Sequence, residues 1–75
     1  MQVTIKIIGH LVYKVGFGEK AMDLPPGTTA LELIRRLGLG ENFHGIVTRN
    51  GNALPAGDEL RQDDRIVIAH AYSGG

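Results

Sequence analysis

Leu24-Pro25-Pro26-Gly27-Thr28-Thr29-Ala30-Leu31-Glu32-Leu33-Ile34-Arg35-Arg36-Leu37-Gly38 holds a complete turn, helix and stop. Pro-Pro-Gly halts whatever precedes it, since proline lacks a backbone N–H and glycine accepts a left-handed turn. Thr29 and Glu32 have the spacing of a capping box, in which each satisfies a free N–H of the first helical turn. Ala30, Leu33, Ile34 and Leu37 recur at i, i+3, i+4 and i+7, and so share one apolar face. Arg35 and Arg36 place cations near the negative end of the helix dipole. Gly38 supplies the left-handed residue that ends the helix. The pattern predicts a helix over 30–37.

Strand patterns flank this unit. Val3-Thr4-Ile5-Lys6-Ile7 alternates apolar and polar residues and is rich in β-branched side chains, the mark of a half-buried strand. Val3, Ile5 and Ile7 face one way, and Gly9 ends the run. In 10–18, Leu11, Val12 and Val15 suit either a turn of helix or an irregular loop, and Gly16 and Gly18 bar its continuation. Residues 19–24 read as a second strand and 45–49 as a third. Asn50-Gly51 follows, the strongest short hairpin signal, so Asn52-Ala53-Leu54 pairs back. Gln62-Asp63-Asp64 turns the chain into a last strand over 65–69. Asp63-Asp64 is read as turn chemistry rather than as a catalytic pair.

The fold class is therefore α+β: a mixed sheet of four to five strands with one helix across one face, because nothing else in the chain can cover the sheet. The first and last strands are the most apolar and should form its central pair. If Ile66 and Ile68 face the helix, Val67 and Ala69 point away from it. By the same alternation Val47 goes in while Ile46 and Thr48 go out. Ile46, Val67 and Ala69 then make an apolar docking surface, with Arg49, Arg61 and Arg65 available as a charged rim.

Composition narrows the function classes. Seventy-five residues make one small domain, which buries only about 60% of its unfolded surface and leaves little room for a deep pocket beside a core. Eight basic and eight acidic residues balance, so no positive surplus points to nucleic acid. The aromatic residues Tyr13, Phe17, Phe43 and Tyr72 are too dispersed to stack bases. The chain has no cysteine, which excludes disulfides, thiolate metal sites and a cysteine nucleophile. His10, His44 and His70 lack metal-ligand spacing, so no metal site is expected. Gly16-x-Gly18-x-x-Ala21 matches a dinucleotide fingerprint only formally, since it precedes a strand instead of opening a helix. No apolar run approaches the ~20 residues of a membrane helix. The first residues read as a strand, not as a signal peptide, and the protein is expected in the cytoplasm.

The sequence closes on Tyr72-Ser73-Gly74-Gly75. Two terminal glycines add nothing to a packed core and lower local order. Without side chains they are suited to thread a narrow channel and present a carboxylate. The expected organisation is a body over 1–70 and a tail over 71–75, with Tyr72 and Ser73 assisting docking and His70 guiding the tail.

This order of elements, with this tail, resembles the ubiquitin-like β-grasp. More closely it resembles the prokaryotic sulfur-carrier family: the small subunit of molybdopterin synthase and the thiamine-pathway carrier. The matching stretches are Val3-Thr4-Ile5-Lys6, the segment from Leu24 to Ile34 with Leu37-Gly38, Asn50-Gly51, Asp63-Asp64-Arg65-Ile66 and Ser73-Gly74-Gly75. Two departures stand out. Asp63 replaces the glycine of the family's Asp-Gly-Asp turn, and Gly9-His10-Leu11-Val12-Tyr13-Lys14 replaces the usual segment after the first strand. The long first connection tilts the likeness toward the molybdopterin branch. The resemblance implies no resident cofactor and no catalysis by the chain alone. An E1-like adenylyltransferase with its own ATP and Mg²⁺ would adenylate the Gly75 carboxylate, with Gly74 beside it. A sulfur donor would convert the adenylate to a thiocarboxylate. The molybdopterin synthase large subunit, or thiazole synthase, would receive the sulfur. Two alternatives stay open: a protein modifier joined to lysines through Gly75, and a plain β-grasp binding module.

Overall fold

The computed structural model describes residues 1–40 and 43–70. Five strands and two helices follow in the order β1 (Gln2–Ile7), α1 (Leu11–Val15), β2 (Glu19–Asp23), α2 (Ala30–Arg36), β3 (Gly45–Arg49), β4 (Asn52–Ala53) and β5 (Arg65–His70). The strands form a single sheet in the order β2-β1-β5-β3-β4. β1 runs parallel to β5 with Ile5 opposite Ile66, and the other pairs are antiparallel. The two apolar strands are neighbours, as their composition requires, and β5 takes the middle of the sheet.

α2 forms where its period and caps place it. Thr29 is extended, and its Oγ1 accepts the Glu32 N–H at 3.2 Å. The other free N–H groups of the first turn go to the 56–58 loop, Ala30 to the Asp58 carbonyl at 3.0 Å and Leu31 to the Ala56 carbonyl at 3.0 Å. A helix start left without such acceptors would be strongly unfavourable. The helix ends one residue earlier than its period suggests. Leu37 is the C-cap, and Gly38 takes φ 77°. Replacing Thr29 with alanine is expected to lower stability by about 1 kcal/mol. A shift of the urea midpoint with an unchanged slope would check this.

One face of the sheet is sealed by α2. Val3, Ile5, Ile7, Ile66 and Ile68 meet Ala30, Leu33 and Ile34 there, and all are buried. The ambiguous 10–18 segment resolves as a short helix that adds the buried Leu11 to this core. Gly16, at φ 98°, ends it. Asn50 (φ 50°) and Gly51 (φ 87°) form the tight turn between β3 and β4, the left-handed pair that matches strand twist. Asp63 also takes a left-handed conformation, φ 68°, which an Asp tolerates better than most residues.

Arg49 is not part of a charged rim. Its ladder partner is Ile66, whose side chain is buried against the helix layer. From that layer its guanidinium donates Nε–H to Asp64 Oδ2 at 3.0 Å and a second N–H to the Glu59 carbonyl. Asp64 is buried, and the same oxygen accepts the Arg61 backbone N–H at 2.7 Å. The Asp63-Asp64 turn is thus a structural clamp that ties β3 to the start of β5.

Candidate functional site

Among the described residues, no helix lies over the opposite face of the sheet. Its residues follow from the register, since directly paired residues share a face. Ile46 stands opposite Ala69, and Thr48 opposite Val67. Val67 stands opposite Lys6, and Arg65 opposite Thr4. Ile46 is 52% exposed, while Val67 and Ala69 are partly exposed. The three residues singled out by alternation therefore do share the outer face.

Sequence reasoning missed a fourth residue. Ile8 donates its N–H to the Ile68 carbonyl at 2.9 Å, which carries the β1–β5 register one step beyond Ile7. That step sets Ile8 beside Ala69 on the outer face, where it is 47% exposed. Ile8, Ala69 and Ile46 thus form an apolar row across three adjacent strands. The signal is present in the alternation, since Ile7 in means Ile8 out, but a strand pattern over 3–7 ended by Gly9 stops one residue short of it.

Charge frames this row on one side. Lys6 and Arg65 lie farther back on the outer face, Lys6 opposite Glu19 of β2. Arg61 is exposed in the loop before β5. The row stands at the end of the sheet where β5 hands over to 71–75. The expected site residues Tyr72, Ser73, Gly74 and Gly75 lie outside the described residues.

Among the described residues, no group of three or more His, Cys, Asp or Glu side chains is placed to hold a metal ion. No helix among them is long and apolar enough to cross a membrane. The hollow between α2 and β3, lined by Ile34, Phe43, Val47 and Leu54, measures about 220 Å³. Small-molecule sites usually occupy ~300–1,000 Å³.

No known protein-family profile matches this chain, and no curated protein matches it. Solved structures do. Small archaeal modifier protein 1 (SAMP1) of Haloferax volcanii superimposes over 100% of both chains with a TM-score of 0.78 and 20% identity. The fold is the ubiquitin-like β-grasp. A Pyrococcus furiosus protein, provisionally described as molybdopterin converting factor subunit 1, shares this β-grasp with a TM-score of 0.79 and 19% identity. That match covers 93% of this chain and 97% of the other. The complex of subunits 1 and 2 of molybdopterin-converting factor from Helicobacter pylori supplies a further β-grasp match, with a TM-score of 0.67 and 16% identity over 100% of both chains. In this β-grasp, the apolar row and the last residue of β5 lie at the same end of the sheet.

Proposed function

We propose that this chain is a sulfur carrier, with 1–70 as its body and the Gly75 carboxyl group as its acyl handle. The observation that carries the reading is the Ile8–Ala69–Ile46 row, an apolar docking strip beside the point where β5 passes into 71–75. Five extended residues reach up to about 17 Å, enough for Gly74 and Gly75 to enter a partner's buried site while the row holds the body outside. The β-grasp neighbours named for molybdopterin converting factor support that pathway over the thiamine one, and the two-subunit complex supports a large-subunit partner.

The chemistry follows from the handle. A carboxylate is a poor electrophile. Its oxygen attacks the α-phosphorus of ATP on an E1-like adenylyltransferase, the bond to the β-phosphate breaks, and pyrophosphate leaves. Hydrosulfide, supplied by a sulfur donor, then adds to the acyl carbon and AMP departs, leaving a thiocarboxylate. That sulfur displaces a leaving group from a precursor held by the synthase subunit, forming a thioester. Water then cleaves its acyl–sulfur bond, which restores the carboxylate and leaves the sulfur on the product. ATP and Mg²⁺ belong to the activating enzyme and nothing resides on the carrier, whose part is positioning and presentation. The setting is cytoplasmic, where ATP is at hand.

The test is intact mass. Incubation with the activating enzyme, ATP, Mg²⁺ and a sulfide donor should add the mass difference of one sulfur for one oxygen, localised to Gly75. A chain that never gains it under conditions that charge a known carrier refutes the reading. The SAMP1 likeness favours one second reading, a protein modifier. Both share the adenylate and part at the acceptor, so Gly75 joined to a lysine amine would select the modifier.

Docking predicts its own outcome. Ile46→Asp sets a charge in the apolar row and is expected to raise the KM for activation at least about tenfold. Its melting temperature should move little, as exposed substitutions usually change stability by under ~0.5 kcal/mol.

A further inference from the structure

We propose that Phe43 is a positioning residue: its ring, seated in the side-chain space of Gly45, holds the end of β5, the strand from which 71–75 follow. The inference rests on the sulfur-carrier reading for its consequence, but not for its geometry.

Gly45 shows where the ring sits. A Cβ built there would lie 1.9 Å from Phe43 Cζ, 2.3 Å from Phe43 Cε2 and 2.6 Å from the Ala69 carbonyl oxygen. Gly45 is not among the residues with positive φ, so its backbone conformation does not demand glycine. The space does. The ladder partner of Gly45 is His70, the last residue of β5. The Phe43 and His70 rings lie 6.0 Å apart between centroids, tilted by 46°. Phe43 is half-buried and packs against the hydrophobic core. One ring thus links the core, the first residue of β3 and the last residue of β5.

Strand ends fray where nothing packs on them. Here the final pair of the β3–β5 ladder is backed by Phe43 on the inner face, and the pair before it, Ile46 with Ala69, carries the docking row on the outer face. The row fixes where a partner grips the body. The ring fixes where the tail starts relative to that grip. A fixed root raises the share of encounters in which a five-residue tail points its carboxylate at the reacting phosphorus. The two devices act on different constants: the row on KM and the ring on kcat.

The test compares Phe43→Ala, Phe43→Tyr and Gly45→Ala with the parent chain. Amide hydrogen exchange at Ala69 and His70 is read in the free protein, and kcat and KM for adenylation are read with the activating enzyme. Phe43→Ala is expected to speed exchange at the end of β5 and to lower kcat roughly three- to tenfold with KM within about twofold. Gly45→Ala should also produce both effects, because its Cβ displaces the ring and meets the Ala69 carbonyl oxygen, so Phe43→Ala is the variant that isolates the ring. Phe43→Tyr, which keeps the ring, should restore both. Unchanged exchange in Phe43→Ala overturns the proposal, and so does a loss confined to KM or to melting temperature. A parent chain that is never adenylated refutes the carrier reading instead, and the exchange arm still decides whether the ring holds the strand.

Discussion

Removing Gly75 is expected to reduce activation by at least about a hundredfold while leaving the body as stable as the parent. Both halves follow from position. Among the described residues, each buried apolar side chain of the core lies between Val3 and Ile68, and Gly75 has no side chain to lose from the packing. The chemistry, by contrast, depends on where one carboxylate arrives. Losing a residue draws the new terminus back by ~3.3–3.6 Å. A misplacement of even about 1 Å can cost a hundredfold in rate. ATP–pyrophosphate exchange on the activating enzyme measures the first half and calorimetry the second. Undiminished exchange by the shortened chain would remove Gly75 from the mechanism, and with it the sulfur-carrier reading.

Asp64→Ala should be the most damaging single change to the body. Its carboxylate is buried and serves Arg49 Nε at 3.0 Å and the Arg61 N–H at 2.7 Å through one oxygen. Truncation leaves the Arg49 guanidinium, only 18% exposed, without its counter-charge. Breaking one side of a buried pair typically costs ~3–5 kcal/mol. At ~0.05–0.15 kcal/mol per residue, a chain of this length has about 4–11 kcal/mol in all, so the loss is a large share of it. The expected result is a protein partly unfolded at 37 °C, read by urea denaturation. Arg49→Met in the same background should recover part of the loss, because it removes the orphaned charge. A double variant no more stable than Asp64→Ala alone would show that the carboxylate acts through the Arg61 turn and not through the pair.

What the sequence disclosed tracks how local each feature is. α2 was legible because its cap, apolar face and stop are all written within 29–38, and the hairpin because Asn50-Gly51 has few other uses. The inward set of β1 and β5 followed from period-two alternation alone. The outer site was half legible. Alternation assigned Ile46, Val67 and Ala69 to one face, but only the register across β1, β5 and β3 aligned Ile8 with them. Arg49 was misassigned for the same reason. Its partner lies fifteen positions away, and nothing near it in the sequence distinguishes a rim charge from a buried one. Residues 10–18 were ambiguous because a five-residue helix with one buried side chain carries too few repeats to show a period. The packing of Phe43 on Gly45 is invisible in one dimension, since a glycine at the start of a strand usually signals a turn and not a vacancy filled by a neighbour's ring.

The parallel pairing of β1 with β5 has a consequence for synthesis. The central contact of the sheet joins the earliest strand made to the last, so closure of the longest loop in the chain must precede it, and folding waits on that step. The apolar row needs β1, β3 and β5 together. On the sulfur-carrier reading, the surface that a partner grips is therefore complete only after β5 has docked. A product that stops short of β5 is then expected to be left unadenylated by an activating enzyme, so that ATP is not spent on it.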